Sequence, residues 1–455
     1  MYFQVPLWLC CVIFKIPKQV LANFDLIYFK QAIALIKQNR LFSGLYILGS
    51  ALAIASVTIL AVVIYLSVAP IYPDTNRENV YYLSISAFNE KNGRSRFVSG
   101  YSYKAVNEWF YSLKNAKVVS AEFGRGIPFE IKQNYKNYVF NGVYTDANFF
   151  KVYKYRFIAG SPFSETDFEG KLKKVVMSDR TARKLFGTED GAIGKSVKVR
   201  GHNYTVCGIF EQPSIIAGES YAELIVPYTT YDGYMYEDDV LLWYGSYRLR
   251  FLVEDDVQAD ALRAEIVDIF NRFNNSDPDW EVVMNKLYMN SASRNSSKLE
   301  EWTEFYESGS GILLLIGTFI LLLIPALNLS GMISSRMEMR ELEMGVRKSF
   351  GATRETLLKQ VMWENLILTI MGGIVGIFLC WVILYGCKEW VFMMSFEETA
   401  TITGTEVDIT TEMIFAPAVF LFSLGACVAL NVMSAYIPAK RALKRPVVEM
   451  LNDKK

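Results

Sequence analysis

Four stretches of the chain contain no charged residue and are long enough to cross a membrane. They are residues 41–73, 308–335, 365–387 and 413–439. An α-helix rises about 1.5 Å per residue, so roughly 20 apolar residues cross a hydrocarbon core about 30 Å thick. Backbone groups in lipid must pair within their own segment, which requires helices there. The pattern predicts a polytopic α-helical membrane protein with four transmembrane helices, at residues 41–68, 311–335, 361–387 and 413–438.

Between the first two spans, residues 74–307 change to an alternating, turn-rich pattern. Alternation predicts a strand over residues 79–88, a helical period predicts a helix over 102–116, and residues 195–213 predict a hairpin that turns at Gly201. This mixture indicates a large α+β domain inserted between helices 1 and 2, with a β-rich middle inserted into an outer β-α-β frame. Of the six cysteines only Cys207 clearly lies in this domain, so we expect no disulfide within it.

Lysine and arginine are concentrated before the first span, between the second and third spans, and after the fourth. The positive-inside rule therefore places both termini in the cytoplasm of a multi-pass protein of the cell (inner) membrane, with residues 74–307 on the extracytoplasmic or periplasmic side. The remaining predicted segments are a cytoplasmic N-terminal segment with an amphipathic helix, a cytoplasmic coupling segment, a short extracytoplasmic loop and a cytoplasmic tail, at residues 1–40, 336–360, 388–412 and 439–455.

Signals for catalysis or for cofactor binding are weak. The string "GAIGKS", Gly191–Ser196, ends like a phosphate-binding loop, but Glu189 stands where that motif needs its first glycine, and we expect a turn. The sole histidine, His202, lies at the predicted hairpin turn, where a solvated side chain is expected. No metal-ligand spacing or nucleophile motif occurs, so we expect no catalytic residue, no metal, no cofactor and no enzymatic activity.

Zero net charge without a basic tract argues against a nucleic-acid partner. The aromatic segment "YDGYMYEDD", residues 231–239, leaves two interpretations open: a substrate-binding surface or plain surface.

The coupling segment combines a charged helix and a tight turn. The helix over residues 334–350 is expected to end at Gly351, after which Thr353 caps a second helix that runs into the third span. Such a unit projects just beyond the bilayer and can pass the movement of a partner into two spans at once.

Three groups of residues in and after this segment form a recognisable pattern. They are Glu343, Met344, Gly345, Arg347, Gly351 and Ala352, then Glu364, Leu368, Gly372, Gly373 and Gly376, and near the end Pro438, Ala439, Ala442, Pro446, Glu449 and Leu451. The pattern resembles the permease family that includes MacB, the lipoprotein-releasing LolC and LolE, and the cell-division protein FtsX. Met344 stands where the family usually has isoleucine, an exchange of similar volume.

The resemblance implies the permease subunit of an ABC transporter that pairs with a second copy or a related permease. A separate ATPase would dock on the coupling segment and move the extracytoplasmic domain by mechanotransmission, exporting peptides, toxic small molecules or lipoproteins. Whether a periplasmic adaptor and an outer-membrane channel also take part is left open by the resemblance. The implied docking residues are Glu341, Glu343, Gly345, Arg347, Lys348 and Gly351. Anchoring to anionic membrane lipids would also explain Arg347 and Lys348.

Within the third span, Glu364 is either paired with a basic group of the coupling segment or placed to favour a helix N-terminus. Gly372, Gly373 and Gly376 form a small-residue face for close helix packing, for which a dimer contact is one use. Two other functions remain open: an FtsX-like transmembrane regulator of cell-wall hydrolases, and a membrane-bound sensor or enzyme, although no catalytic constellation supports the latter.

Overall fold

The computed structural model describes residues 40–283, with gaps at 84–85, 94, 125–127, 134, 190 and 236–242, and then residues 341–388, 417–443 and 446. Contacts divide the chain into two units, which are described separately. The helical unit comprises Met1–Ala61, Leu315–Ile383 and Ala416–Lys455, and the sheet domain comprises Val62–Leu314 and Leu384–Phe415.

Three described helices are long and apolar enough to cross a membrane. The first, α1 (Arg40–Val68), contains the candidate span Ser43–Val63, and its last turns from Val62 onward belong to the sheet domain by their contacts. The other two candidate spans are Arg354–Gly386 and Val419–Arg441. The predicted second span at 311–335 lies outside the described residues, as do the predicted N-terminal amphipathic helix and most of the loop at 388–412.

The described part of the sheet domain contains fourteen strands. They are β1 (Val80–Leu83), β2 (Ser86–Glu90), β3 (Arg96–Tyr101), β4 (Val118–Phe123), β5 (Pro128–Gln133), β6 (Lys136–Thr145), β7 (Phe157–Gly160), β8 (Lys174–Ser178), β9 (Ser196–Val199), β10 (His202–Phe210), β11 (Leu224–Pro227), β12 (Tyr244–Gly245), β13 (Tyr247–Leu252) and β14 (Trp280–Val283).

Six of these strands close into a ring in the order β11-β8-β10-β9-β5-β6, because β11 also pairs in parallel with β6, with Leu224 opposite Gly142. Successive side chains of a strand point to opposite faces, so every second side chain points into the ring. Phe129 and Ile131 on β5 are buried between exposed neighbours, as are Val197 and Val199 on β9.

β7 pairs with β10 of the ring, and the other remaining strands form a second layer next to the ring. β13 lies between β1 and β4 in antiparallel register, so Arg250 is opposite Tyr82 on one side and Ser120 on the other. β3, β2 and β14 continue this layer. The last pairs of β4 with β6, Glu122 with Thr145 and Phe123 with Tyr144, connect it to the ring.

Five α-helices that begin after β1 accompany the strands in the described part of the sheet domain. They are α2 (Tyr103–Ala105), α3 (Phe149–Val152), α4 (Glu165–Glu169), α5 (Asp179–Phe186) and α6 (Asp256–Ser276). α5 begins with the Ser178 hydroxyl accepting from Thr181 N and ends at Gly187, whose φ of 76° is the left-handed conformation that glycine adopts without strain. α6 places Leu262, Ile266 and Phe273 in the core at helical spacing.

Two expectations for local structure were wrong in extent. The single strand over 79–88 is instead β1 and β2, which have different partners, β13 and β3. The helix over 102–116 is α2 followed by a single π-helical turn, Val106–Phe110. The wider turn buries Trp109 and Phe110 together, which a uniform 3.6-residue period does not foresee.

In the helical unit, α7 (Glu341–Ser349), α8 (Arg354–Gly386) and α9 (Pro417–Ala442) follow. α8 has 33 residues and is therefore roughly 50 Å long, more than a hydrocarbon core of about 30 Å requires. Its first two turns carry Glu355 and Lys359, so these turns lie beyond the apolar part of the span.

Candidate functional site

The coupling segment is folded as a helix, a tight turn and a second helix. Gly351 has a φ of 93°, its N–H donates to the carbonyl of Lys348, and Ala352 N donates to the carbonyl of Arg347 at 3.0 Å. This pair of bonds satisfies the last carbonyls of α7. The Thr353 hydroxyl then accepts from Thr356 N at 3.2 Å and caps α8. The turn therefore fixes the direction of α7 relative to α8.

Arg347 connects the surface of α7 to the interior of α8. Its Nη2 donates to Glu343 Oε1 at 2.6 Å, and its Nη1 donates to Gln360 Oε1 at 2.9 Å. Gln360 Nε2 in turn donates to Glu364 Oε1 at 3.2 Å. The Glu343 and Arg347 side chains are 43% and 39% exposed, whereas Gln360 and Glu364 are buried. Glu364 is thus linked to a basic residue of the coupling segment through Gln360.

Lys348 and Met344 fasten the opposite side of α7 to the helical unit. Lys348 Nζ donates to the carbonyl of Leu443 at 2.7 Å, just after α9, and burial together with the Arg354 charge lowers the pKa of Lys348. Met344 is buried in a cluster with Leu357 and Ala439. One helix is therefore tied to both α8 and α9.

The outward side of α7 carries three exposed apolar residues at intervals of four. We call Leu342, Val346 and Phe350, which are 54%, 45% and 86% exposed, the apolar ridge. Exposed apolar residues grouped in this way are typical of an interaction surface. The sequence prediction missed them, although their i, i+4, i+8 spacing on the charged helix was a usable signal.

The predicted docking residues occupy different places on this helix. Glu341 is the first residue of α7, Glu343 lies beside the apolar ridge, and Gly345 is buried. Arg347 and Lys348 make the contacts within the chain described above. The docking role of this set, Gly351 included, stays a prediction.

The three glycines of α8 lie where it meets the other spans. A Cβ at Gly372 would collide with Ser50 of α1, and one at Gly376 would be 2.7 Å from the carbonyl of Ala51. A Cβ at Gly373 would collide with Leu424 of α9. These glycines permit close packing inside the helical unit.

A second polar network begins at the end of α1, inside the sheet domain. Arg77 Nη1 donates to the carbonyls of Leu66 and Ala69 at 3.2 and 3.0 Å, which satisfies groups that the helix end leaves open. Arg77 Nε also donates to Asp74 Oδ2 at 3.1 Å. Asp74 is 1% exposed, and burial raises the pKa of its carboxyl despite the opposing charges of Arg77 and Arg250.

The network continues from Asp74 to the centre of the second layer. The Tyr82 hydroxyl donates to Asp74 Oδ2 at 3.5 Å, a long hydrogen bond, and accepts from the Tyr153 hydroxyl at 3.1 Å. Arg250 Nε donates to the Tyr153 hydroxyl at 2.7 Å. The Arg250 guanidinium also lies 5.4 Å from the centroid of the Tyr82 ring.

Arg250 is fully buried, and its charge is compensated by two carboxylates. Its Nη2 donates to Glu122 Oε1 at 2.5 Å and to Glu219 Oε2 at 2.8 Å. Glu122 is buried completely, whereas Glu219 is 47% exposed. These two acids and the nearby tyrosines hold the pKa of Arg250 above its usual range although burial alone would lower it.

The chain between α1 and β1 is held at further points. The Tyr72 hydroxyl donates to the carbonyl of Glu211 at 2.8 Å, and Lys154 N donates to the carbonyl of Pro73 at 3.0 Å. Asn76 Nδ2 donates to the carbonyl of Val152 at 3.4 Å. We call this segment, residues 66–79 with the network from Arg77 to Arg250, the joint. It fastens the end of α1 to the sheet domain at several independent points.

The glycine-rich turn and the histidine that were considered for binding or catalysis lie among the described residues, and their contacts can be stated. Gly191–Ser196 forms a turn before β9, with Gly194 N donating to the carbonyl of Val206. His202 is not fully solvated, because its Nδ1 lies 2.9 Å from Lys173 Nζ and its Nε2 lies 3.0 Å from Asp232 Oδ2. Burial raises the pKa of Cys207 to about 11. Among the described residues, no group of three or more His, Cys, Asp or Glu could hold a metal ion.

The apolar helices, the coupling turn and the large sheet domain together define a membrane permease with an extramembrane domain. Residues 43–269 match the MacB-like periplasmic core domain, and residues 315–447 match the FtsX-like permease C-terminal domain. The two matches together cover well over half of the chain. The chain therefore belongs to the MacB-like, FtsX-like family of ABC transporter permeases, which confirms the resemblance drawn from the sequence.

Curated relatives are about 22–25% identical to this chain within the aligned regions. A pyoverdine export ATP-binding/permease protein of Pseudomonas syringae pv. tomato is 22% identical over 51% of this chain and 34% of its own length. An uncharacterized ABC transporter permease of Bacillus subtilis, YknZ, is 25% identical over 52% of this chain and 54% of its own. The macrolide export ATP-binding/permease protein MacB of Pasteurella multocida is 23% identical over 66% and 41%. The aligned part thus spans about a third to a half of these relatives.

Solved structures of extramembrane domains are also similar. The extracellular domain of YknZ from Gram-positive bacteria matches with a TM-score of 0.31 and 17% identity, over 40% of this chain and 89% of that one. The periplasmic region of MacB from Actinobacillus actinomycetemcomitans matches with a TM-score of 0.33 and 15% identity, over 46% and 89%.

Proposed function

We propose that this chain is the permease subunit of an ABC exporter that works by mechanotransmission. A separate ATPase subunit binds α7 and hydrolyses ATP, the helices of the membrane unit move, and the sheet domain moves with them on the extracytoplasmic side. The chain itself is not an enzyme in this proposal. Its membrane unit has four spans, with residues 311–335 as the second and both termini in the cytoplasm, and it pairs with a second permease copy or a related permease.

The two faces of α7 carry this proposal. The apolar ridge of Leu342, Val346 and Phe350 is exposed, while Arg347 and Lys348 on the other side connect the helix to α8 and α9. A partner that grips the ridge therefore pushes on two spans through one rigid helix. Glu343, at the border of the ridge, is placed to add a charged contact at the rim of such an interface.

The joint supports the second half of the proposal. A flexible linker after α1 would absorb a helix movement. Residues 66–79 instead make hydrogen bonds to Tyr82 of β1, to Val152 of α3, and to Lys154 and Glu211. Movement of α1 is then passed to the domain rather than lost in the connection. Two relatives are named for export of pyoverdine and of macrolides, so we propose a small-molecule substrate outside the membrane.

Photo-crosslinking tests the docking step. A photoreactive phenylalanine analogue replaces Phe350 in the full chain, which is expressed in its native host, and mass spectrometry identifies the cross-linked proteins. We expect an ABC ATPase as the main product. The same analogue at Lys198, on β9 of the sheet domain, is the control and should not yield it. Cross-links from position 350 to lipid alone, or to proteins without an ATPase domain, would contradict the proposal.

A further inference from the structure

A cavity of about 400 Å³ opens in the sheet domain near the ends of β3 and β4 and the start of β13. Five aromatic side chains line it, together with three serines and two glycines. The aromatic residues are Phe123, Tyr231, Tyr234, Tyr244 and Tyr247. Tyr231 and Tyr234 belong to the aromatic segment for which the sequence left a binding surface open. The volume lies within the roughly 300–1,000 Å³ typical of small-molecule sites.

The walls of this cavity are held in place by contacts among themselves. The Phe123 ring lies 5.1 Å from the Tyr231 ring and 5.4 Å from the Tyr247 ring, measured between centroids. The Tyr247 hydroxyl donates to the carbonyl of Tyr234 at 2.6 Å, and burial raises the pKa of Tyr247, so this donor stays protonated. A site whose walls are fixed in this way loses little entropy on binding.

The chemistry of the lining selects against charged ligands. Among the described residues, none that lines the cavity is charged. A charged ligand would give up its hydration there without gaining a counter-ion. The Lys171 ammonium, which lies 5.1 Å from the centroid of the Tyr234 ring, is not among the lining residues. Aromatic rings favour a flat ring as partner, and the hydroxyl and main-chain groups at the wall favour a hydrogen-bonding substituent.

We propose that this cavity binds an uncharged small molecule that carries an aromatic ring and a hydrogen-bonding group. The site lies entirely in the sheet domain and needs neither ATP nor the apolar ridge. Ligand binding here and ATPase docking on α7 are therefore separate properties, and either one stands if the other fails.

Ligand-observed fluorine NMR on the full chain in lipid nanodiscs tests this site. The probe is fluoroindole, which is uncharged, and empty nanodiscs correct for partition into lipid. Fluoroindole carboxylate and fluorotryptamine are the anionic and cationic counterparts of the same ring. We expect line broadening of fluoroindole at concentrations about tenfold lower than for either charged analogue.

A cavity-filling variant locates the binding. Ser246 is exposed and lines the cavity, so Ser246→Trp fills it without removing a core contact. Ser112→Trp, at an exposed serine outside the lining, is the matched control. We expect Ser246→Trp to weaken fluoroindole binding by about tenfold or more and Ser112→Trp to leave it unchanged.

Three results would overturn the proposal. Equal binding of the neutral and charged probes would remove its chemical basis. Equal behaviour of Ser246→Trp and Ser112→Trp would place the binding elsewhere. A capped tyrosine tripeptide that binds more tightly than fluoroindole would assign the cavity to a peptide chain instead of a small molecule.

Discussion

The coupling segment and the joint both use arginine–carboxylate pairs, but they bury them to different degrees. In the coupling segment, the Arg347 and Glu343 side chains are 39% and 43% exposed. In the joint, Arg250 and Glu122 are 1% and 0% exposed. An exposed pair is screened by water and contributes little to stability, whereas removing one member of a buried pair leaves an uncompensated charge in a low dielectric.

This difference matches two different tasks. In the proposed mechanism, a surface that a partner grips has to remain accessible. A connection that passes movement has to be rigid, and buried pairs with several hydrogen bonds are costly to distort. In the proposed mechanism the same residue types would serve docking in one region and fastening in the other, and the exposure of the pairs separates the two.

The largest effect is expected from breaking the buried pair. Arg250→Met removes the buried positive charge that compensates Glu122, and we expect a loss of about 3–5 kcal/mol in the free energy of unfolding. The loss is measured by denaturing the full chain in detergent. Unfolding of the sheet domain is followed by the fluorescence of the stacked Trp109 and Trp243. Arg156→Met, in an exposed pair with Glu211, is the control and should cost less than about 1 kcal/mol. Equal losses for the two variants would refute the contrast.

A smaller effect is expected in the packing of the helical unit. Gly376→Val forces a side chain against the carbonyl of Ala51, and we expect a loss of about 1–3 kcal/mol. The temperature at which the buried thiols of Cys380 and Cys427 become reactive reports on this unit. The control is Gly44→Ala in α1, where a Cβ has no neighbour within 4 Å. If Gly376→Val melts like the unsubstituted chain, α8 does not pack on α1 as described.

The smallest effect is expected for the exposed pair of the coupling segment. Glu343→Gln removes one charge at the border of the apolar ridge, and we expect a change in unfolding free energy below about 1 kcal/mol. Glu122→Gln is the same chemical change in the buried pair and should cost several times more. Thiol reactivity of the helical unit measures the effect of Glu343→Gln. Tryptophan fluorescence of the sheet domain measures the effect of Glu122→Gln. A large loss for Glu343→Gln would assign that residue to the fold rather than to docking.

Local signals were sufficient for much of the fold. Ser178 and Gly187 mark the ends of α5 as their residue types predict, Gly201 turns the hairpin of β9 and β10, and the turn from Gly351 to Thr353 has the expected caps. Each of these features depends on neighbours a few residues apart, and the sequence displays such neighbours directly.

Contacts between distant residues could not be predicted in this way. The joint brings Arg77, Tyr153 and Arg250 together from three separate segments, and no period or motif connects them. The ring of strands closes through the parallel pairing of β6 with β11, which also depends on tertiary structure. The apolar ridge is a different case. The spacing of its members is visible in the sequence, but charged residues lie between them, and the interpretation of the helix rests on its charged residues and glycines.

The central claim is that the joint fixes the sheet domain to α1 and so passes movement between them. Distances between spin labels in the full chain in nanodiscs test it directly. Labels attached to unnatural amino acids at Ser56 of α1 and Lys198 of β9 span the joint, and labels at Lys198 and Asp260 of α6 lie within the sheet domain. Arg77→Gln removes the bonds to Leu66, Ala69 and Asp74. Arg272→Gln, in an exposed pair with Asp268 on α6, is the control.

We expect a narrow distance distribution for both label pairs in the unsubstituted chain and in Arg272→Gln. In Arg77→Gln, the distance distribution of the label pair that spans the joint should broaden. The distribution of the pair within the domain should stay narrow, because only the connection is loosened. A broad distribution across the joint in the unsubstituted chain, or no change on Arg77→Gln, would contradict the claim. Broadening of both distance distributions would also contradict the claim, since Arg77 would then stabilise the sheet domain as a whole.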